Sequence, residues 1–305
     1  MRRGCYMEFL HKDGEQFFEA INLTEHQTGI IAQAIEKDYY VTMILRMLSE
    51  RLSYIVFKGG TSLSKCHKAI KRFSEDIDIT VDIKLSQGDR KMVKYVIIYI
   101  VEELGLKIIN LDETRSRRDY SKYIITYDTI LPMLSEALQP EVLIETSYMT
   151  VSFPTVVLPV NNYIGEMMIE EAPELLEKYT LEPFEMKVQG IDRTLADKVF
   201  AVCDYYLDNS VKKHSRHIYD IYKLLPLVEL DNDFKKLVTE VRKIRKASPK
   251  CPSAQDDVNI PTLLQNIIQE EVYKNDYEEI TEKILEERIP YDVAIEALKQ
   301  VAERW

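Results

Sequence analysis

Two aspartates separated by one apolar residue open the segment Asp76-Ile77-Asp78-Ile79-Thr80-Val81-Asp82, which alternates polar and apolar side chains. Period-two alternation predicts a strand with one buried face, so the Asp76 and Asp78 carboxylates project from the same side. Two carboxylates at that spacing are hard oxygen ligands that can share Mg²⁺ ions and serve phosphoryl transfer from a triphosphate. An isolated Asp-Ile-Asp is also what the solvent face of an edge strand looks like, so the weight falls on what precedes it. Lys58-Gly59-Gly60-Thr61-Ser62-Leu63-Ser64-Lys65 reads as a strand end, a glycine turn and a helix start. Thr61 or Ser62 is the expected cap, and the helix should fade near Lys71. Backbone N–H groups from Gly60 to Ser62 would meet an anion at such a turn. Strand-Gly-Gly-helix turns are common for structural reasons alone; the turn and the acid pair together favour a site.

Lys65, Arg72 and Ser74 lie between the two motifs and can contact a triphosphate or an acceptor, or can equally line a solvated helix and loop. Arg115, Arg117, Arg118 and Lys122 form a basic cluster between predicted strands, a candidate contact for an RNA backbone, although a plain hairpin loop explains it more simply. His214 and His217 are spaced to hold a metal, but without further Cys or His partners they read as surface or capping residues. The 19 tyrosines can offer stacking surfaces to bases but mostly suit a core and its rim.

The elements that must position these residues follow from hydrophobic rhythm. A 3–4-residue apolar repeat over 22–52 predicts an N-terminal helical layer, and Tyr54-Ile55-Val56-Phe57 a buried strand. After the acid-bearing strand come a helix over 88–104 and strand-like segments at 106–111, 123–128 and 142–149. From about residue 173 the pattern turns helical, at 194–207, 215–227, 231–244, 260–273, 277–287 and 291–303. The expected organisation is α+β: a helical segment over 1–52, a mixed-sheet catalytic core over 53–160 and a helical C-terminal domain over 161–305. With 305 residues and 46% hydrophobic content the chain can bury ordinary cores. No apolar run of spanning length and no signal-peptide pattern occurs, which places the protein in the cytoplasm, and four scattered cysteines (Cys5, Cys66, Cys203, Cys251) suit reduced thiols. A net charge of −11 argues against coating nucleic acid through bulk positive charge and leaves room only for a local basic groove.

In wording and order, Phe57-Lys58-Gly59-Gly60-Thr61-Ser62-Leu63-Ser64-Lys65 followed by Arg72-Phe73-Ser74-Glu75-Asp76-Ile77-Asp78-Ile79 resembles the AbiEii/AbiGii abortive-infection nucleotidyltransferase toxins. These belong to the DNA polymerase β-like nucleotidyltransferase superfamily. That resemblance implies a Gly-Gly or Gly-Ser turn, the Asp-x-Asp pair and a third acid on a later strand. Gly60 stands here where many members carry serine, and the interval to Asp76 is long. In Glu141-Val142-Leu143-Ile144-Glu145-Thr146 the alternation places Glu141 and Glu145 on one face, making Glu145 the first choice for the third acid, Glu141 the reserve and Asp82 a weaker candidate. A looser likeness covers Arg193-Thr194-Leu195-Ala196-Asp197-Lys198 and Arg216-His217-Ile218-Tyr219-Asp220-Ile221-Tyr222, and carries functional roles to Lys198 and Asp220. Physically, Thr194 and Asp197 could cap a helix from whose first turns Lys198 reaches a phosphate, and Arg216 with Asp220 suits an i,i+4 surface pair.

The resemblance implies transfer of an NMP from an NTP to an acceptor hydroxyl with release of pyrophosphate. Asp76, Asp78 and Glu145 would bind two Mg²⁺ ions, with Mn²⁺ as an alternative. Lys58, Gly59, Gly60, Thr61, Ser62, Lys65, Arg72 and Ser74 would line the nucleotide site. It further implies a toxin controlled by a separately encoded antitoxin, with tRNA as the acceptor. The rival readings are transfer to a small cationic molecule or a protein, and a silent nucleotide-binding module.

Overall fold

The computed structural model describes residues 8–72, 74, 76–132 and 138–305. Cys5, together with Phe73 and Glu75 of the motif that carries the acid pair, lies outside them. The chain divides into two compact units: Met1–Phe57, Glu75–Val151 and Val157–Val188 form the first, and Lys58–Ser74, Ser152–Val156 and Gln189–Trp305 the second.

The first unit begins with helices α1 (Gly14–Thr28) and α2 (Ala32–Arg51). The helical layer expected over 22–52 is these two helices, the first beginning earlier, at Gly14. Gly29, at φ 72°, adopts the left-handed conformation that closes α1 with its N–H on the Glu25 carbonyl, and few other residues sit there without strain. After β1 (Ile55–Lys58) the chain forms α3 (Gly59–Lys65), then returns as β2 (Ile77–Val81), α4 (Gln87–Glu103), β3 (Lys107–Ile108), β4 (Tyr120–Thr126), β5 (Glu141–Val151) and β6 (Thr155–Val160). Helices α5 (Tyr163–Glu171) and α6 (Pro173–Lys178) precede the last strand, β7 (Phe184–Gln189).

The seven strands make one sheet in the order β3-β4-β5-β2-β1-β7-β6. It is mixed: β2 runs parallel to β5 and β1 parallel to β7, whereas β4 is antiparallel to both β3 and β5. Helix α4 starts in a reciprocal capping box between Ser86 and Asp89 and buries Val93, Ile97, Ile100 and Val101, an i, i+4, i+7, i+8 stripe. Two strands depart from the sequence expectation. β7 interrupts a stretch read as helical from residue 173, although its burial of Met186 and Val188 follows period two. β6 carries Pro159, which cannot donate to a ladder, and it occupies the end of the sheet order where such a residue is tolerated.

The second unit is helical: α3 together with α7 (Ile191–Leu207), α8 (Arg216–Leu224), α9 (Asn232–Arg245), α10 (Ile260–Gln269) and shorter helices ending with Glu296–Arg304. Its core joins Leu63 and Ile70 to Leu195, Val199 and Val202 on α7, Ile218, Ile221 and Leu224 on α8, and Leu264, Ile267, Leu298 and Val301 further on. Each helix contributes residues three or four apart, so each buries one stripe. A mixed α+β core with many helices, followed by a helical C-terminal region, is the architecture. Among the described residues no helix is long and apolar enough to cross a membrane.

Candidate active site

In the first unit, Ile77 and Ile79 of β2 are buried, and Asp76 and Asp78 beside them are half-buried, so the alternation delivers both carboxylates to the less covered face. The parallel register pairs Ile77 with Ile144, Asp78 with Glu145 and Ile79 with Thr146. Glu145 is thus the β5 acid beside Asp78. Glu141 pairs with Thr126 four residues away, about 13 Å along a strand. Asp82 is engaged elsewhere, in an ion pair with Lys187.

Two groups on β4 complete this face. Lys122 is the cross-strand partner of Glu145, with Nζ 3.7 Å from Oε1. It therefore lies within a strand next to the acids, not in the basic loop where the sequence reading grouped it with Arg115, Arg117 and Arg118. Tyr120 lies two residues earlier on the same face. Burial first, then the charge of Glu145, a hydrogen bond to Glu145, and the charges of Asp78 and Asp76 all raise its phenol above the usual range. One hydroxyl thus senses all three carboxylates. Sequence reasoning missed Tyr120 because β4 was started at 123; extending the same alternation back along the strand puts Tyr120 and Lys122 on one face. Among the described residues no three Asp, Glu, His or Cys side chains converge closely enough to make a formed metal site. Glu145 has protein partners on β4, Lys122 Nζ at 3.7 Å and the Tyr120 hydroxyl.

In the second unit, α3 begins at Gly59 with Lys58 as its N-cap and no side-chain cap. The expected cap by Thr61 or Ser62 is not formed, because both lie inside the helix. Ser62 donates to the Gly59 carbonyl at 2.9 Å, and Thr61 shares a 3.0 Å hydroxyl contact with Ser74. The helix ends at Lys65, well before Lys71. Gly59 has φ 79°, and Gly60 is required by space: a Cβ there would lie 2.6 Å from Arg72 Nη2 and 2.7 Å from Ser74 Oγ. Lys65, Thr61 and Ser62 are buried, and Lys58 is half-buried, near enough to Asp197 to stabilise its charge.

Arg72 joins the turn to the helices. Its guanidinium donates to Asp220 through Nε (2.7 Å) and Nη2 (2.9 Å), and Lys198 Nζ lies 2.6 Å from Asp220 Oδ2. All three side chains are buried. Burial opposes ionisation of Asp220, but Arg72 and Lys198 overcome it and hold the carboxyl well below its usual range. For Lys198, burial prevails over the attraction of Asp220 and lowers the ammonium. Asp220 thus pairs with Arg72 and Lys198 instead of the expected Arg216. Helix α7 starts at Ile191 with Gly190 as cap, so the expected Thr194–Asp197 cap is also replaced: Thr194 donates to the Gly190 carbonyl, and Asp197 binds Arg193 and Arg245.

His217 places Nδ1 3.3 Å from Lys198 Nζ, and burial together with Lys198 lowers its imidazole well below the ordinary value. His214 stacks on Tyr205 with centroids 3.5 Å apart. Both are half-buried, not capping residues: His217 lies against Lys198, and His214 packs on the Tyr205 ring. Arg72⁺, Lys198⁺ and Asp220⁻ then leave one net positive charge, with Arg72 Nη2 directly against Gly60. That arrangement suits an anion at the glycine turn.

No curated protein gives a match to this chain. A family model described as "Nucleotidyl transferase AbiEii toxin, Type IV TA system" matches residues 44–304, a span that includes the glycine turn, the acid-bearing strands and the helices bearing Lys198 and Asp220. The chain belongs to the AbiEii family of nucleotidyl transferase toxins.

Proposed function

We infer that the protein transfers an NMP from an NTP to a hydroxyl of an RNA acceptor, releasing pyrophosphate, as the toxin half of a toxin–antitoxin pair. The observation that carries this reading is the face shared by Asp76, Asp78 and Glu145, three carboxylates whose charges all reach the Tyr120 hydroxyl. Three half-buried oxygen donors on adjoining strands fit a hard divalent cation such as Mg²⁺ or Mn²⁺. When bound there, such ions supply charge neutralisation at the transferring phosphoryl group and its leaving pyrophosphate.

The chain's own residues divide the remaining work. Asp76, Asp78 and Glu145 hold the ions, with Tyr120 and Lys122 orienting Glu145. Lys58, Gly59, Gly60, Thr61, Ser62 and Lys65, with Arg72 and Ser74, receive the triphosphate. Asp220 fixes Arg72 by two hydrogen bonds and holds Lys198 in the same cluster, so it acts as a positioning residue. An acceptor oxygen attacks the α-phosphorus in line, the bond to pyrophosphate breaks, and the acceptor leaves with one added nucleotide. tRNA is the acceptor that the family resemblance favours, and a separately encoded antitoxin is the expected regulator.

The test is transfer of label from each of four α-³²P-NTPs to total RNA in Mg²⁺. Asp78→Ala should lower the rate about a thousandfold, the scale of several kcal/mol of transition-state stabilisation, with unfolding unchanged. Full activity in that variant would remove the acid site from the mechanism. Absence of label on RNA, with label on a small molecule or protein, would replace the acceptor.

A further inference from the structure

The loop between β3 and β4, absorbed by none of the preceding roles, borders a cavity of about 450 Å³ together with helix α4. Its lining is Lys94, Thr114, Arg115, Ser116 and Arg117: three cations, two hydroxyl-bearing residues and no acid. In a chain of net charge −11 an all-cationic lining runs against the average surface. Asp112, Glu113 and Asp119 flank the loop in sequence but are not among the lining residues, and Asp119 is held by Arg90 at 2.8 Å. Lys94 is set in place by donating to the Thr114 carbonyl at 2.7 Å, which uses one of its three N–H donors. Arg115 and Arg117 are exposed.

Aromatic rings stand on the same helix. Tyr95 is 54% exposed with Lys91 Nζ 5.4 Å from its ring centroid, and Tyr99 is 45% exposed with the Arg51 guanidinium 4.8 Å from its centroid. Tyr95 follows the cavity residue Lys94 on α4, and cations that read phosphates together with exposed aromatic rings that stack bases are the combination by which proteins hold single-stranded nucleic acid.

We propose that this cavity is a phosphodiester-binding site for a single-stranded segment of the RNA acceptor, with Lys94, Arg115 and Arg117 contacting phosphates and Tyr95 offering a stacking face. The proposal rests on RNA being the acceptor and deepens that reading by naming where the strand is held. Binding of a fluorescein-labelled single-stranded 20-mer oligoribonucleotide to the full chain, without NTP, is measured by anisotropy from 50 to 200 mM KCl. Each phosphate contact on a single strand contributes about 0.7 to the slope of log affinity against log salt. Arg115→Ala/Arg117→Ala should therefore reduce the slope by about 1.4 and weaken binding at least tenfold at 100 mM. Arg115→Lys/Arg117→Lys should restore most of the slope. Tyr95→Ala should weaken binding with the slope unchanged.

Wild-type affinity and slope in the double alanine variant would overturn the site while leaving RNA as acceptor. Failure of the wild type to bind the oligoribonucleotide would overturn the site, while label transfer to total RNA decides the acceptor separately. Displacement of the oligoribonucleotide by poly-glutamate as readily as by unlabelled RNA would overturn it in favour of an acidic protein partner.

Discussion

The two units treat charge in opposite ways. On the sheet of the first, Asp76, Asp78 and Glu145 remain half-buried on one face, and Glu145 keeps a loose 3.7 Å partner in Lys122. In the helical second, Arg72, Lys198 and Asp220 are buried and bound at 2.6–2.9 Å, and Arg193, Asp197, Arg245 and Asp204 form another such network. A buried ion pair must satisfy itself to persist, because water no longer helps. A carboxylate meant for a ligand must instead remain reachable and only partly neutralised. The family resemblance implies roles for both sets, and their surroundings differ: one set stays half-exposed, the other is closed on its own counter-charges.

The largest effect should come from breaking the tighter set. Asp220→Ala leaves Arg72 and Lys198 buried without their counter-charge, and removal of one partner from a buried pair costs about 3–5 kcal/mol. Urea unfolding reads that loss directly. Asp78→Ala, by contrast, should leave the unfolding midpoint within experimental error while abolishing transfer. Should both variants affect only activity, the distinction between the sets fails.

A smaller effect shows that the first unit also neutralises what it truly buries. His11 Nδ1 lies 2.9 Å from the Tyr39 hydroxyl and Nε2 2.9 Å from the Leu104 carbonyl, so the neutral ring accepts from Tyr39 and donates to Leu104. Burial, only partly offset by the hydrogen bond to Leu104, lowers its pKa to about 4 from 6.5. Between those values the unfolded chain binds the proton that the folded one refuses. Stability from this site is therefore full above pH 6.5 and falls as pH drops toward 4, by about 3 kcal/mol in total. Relative to wild type, His11→Gln should gain stability by that amount between pH 7 and pH 4 in urea titrations. His67, His214 and His217 are also lowered and will leave a residual slope in both proteins.

What the sequence disclosed follows the same division. Period-two alternation was enough to place Asp76 and Asp78 together and to choose the face carrying Glu145, because strand geometry makes position i imply position i+2. It put Glu141 and Glu145 on one face alike, so the preference for Glu145 over Glu141 had no register behind it; register is a property of two strands, and it pairs Asp78 with Glu145. The buried network was less legible. Arg216 and Asp220 have ideal spacing for a local pair, yet Asp220 takes Arg72 from 148 positions away. Local spacing says nothing of such a competitor. The helical reading after residue 173 missed β7 because a six-residue strand flanked by helices leaves little periodic signal.

Gly60 sharpens the comparison where the turn meets the network. Arg72 Nη2 lies 2.6 Å from the position of an added Cβ, and the bidentate grip of Asp220 limits its retreat. Gly60→Ala should cost about 1–3 kcal/mol, the usual range for overpacking. Pairing it with Arg72→Ala, which clears the space, should give a total loss smaller than the sum of the single losses in a double-mutant cycle. Simple additivity would show that Arg72 is not what confines residue 60.

The mildest test acts on the open face. Tyr120 donates to Glu145 at a half-exposed site, where one hydrogen bond to a charged group is worth about 1.5 kcal/mol. Tyr120→Phe leaves the ring to pack and removes only that donor. The Mg²⁺ concentration for half-maximal transfer should then rise roughly tenfold, the equivalent of that energy, with the maximal rate nearly kept, since Asp76 and Asp78 are untouched. A lowered maximal rate at saturating Mg²⁺ would instead make the hydroxyl part of the reacting centre. In that case the open face, like the buried network, would depend on a protein hydrogen bond to hold its charge in place.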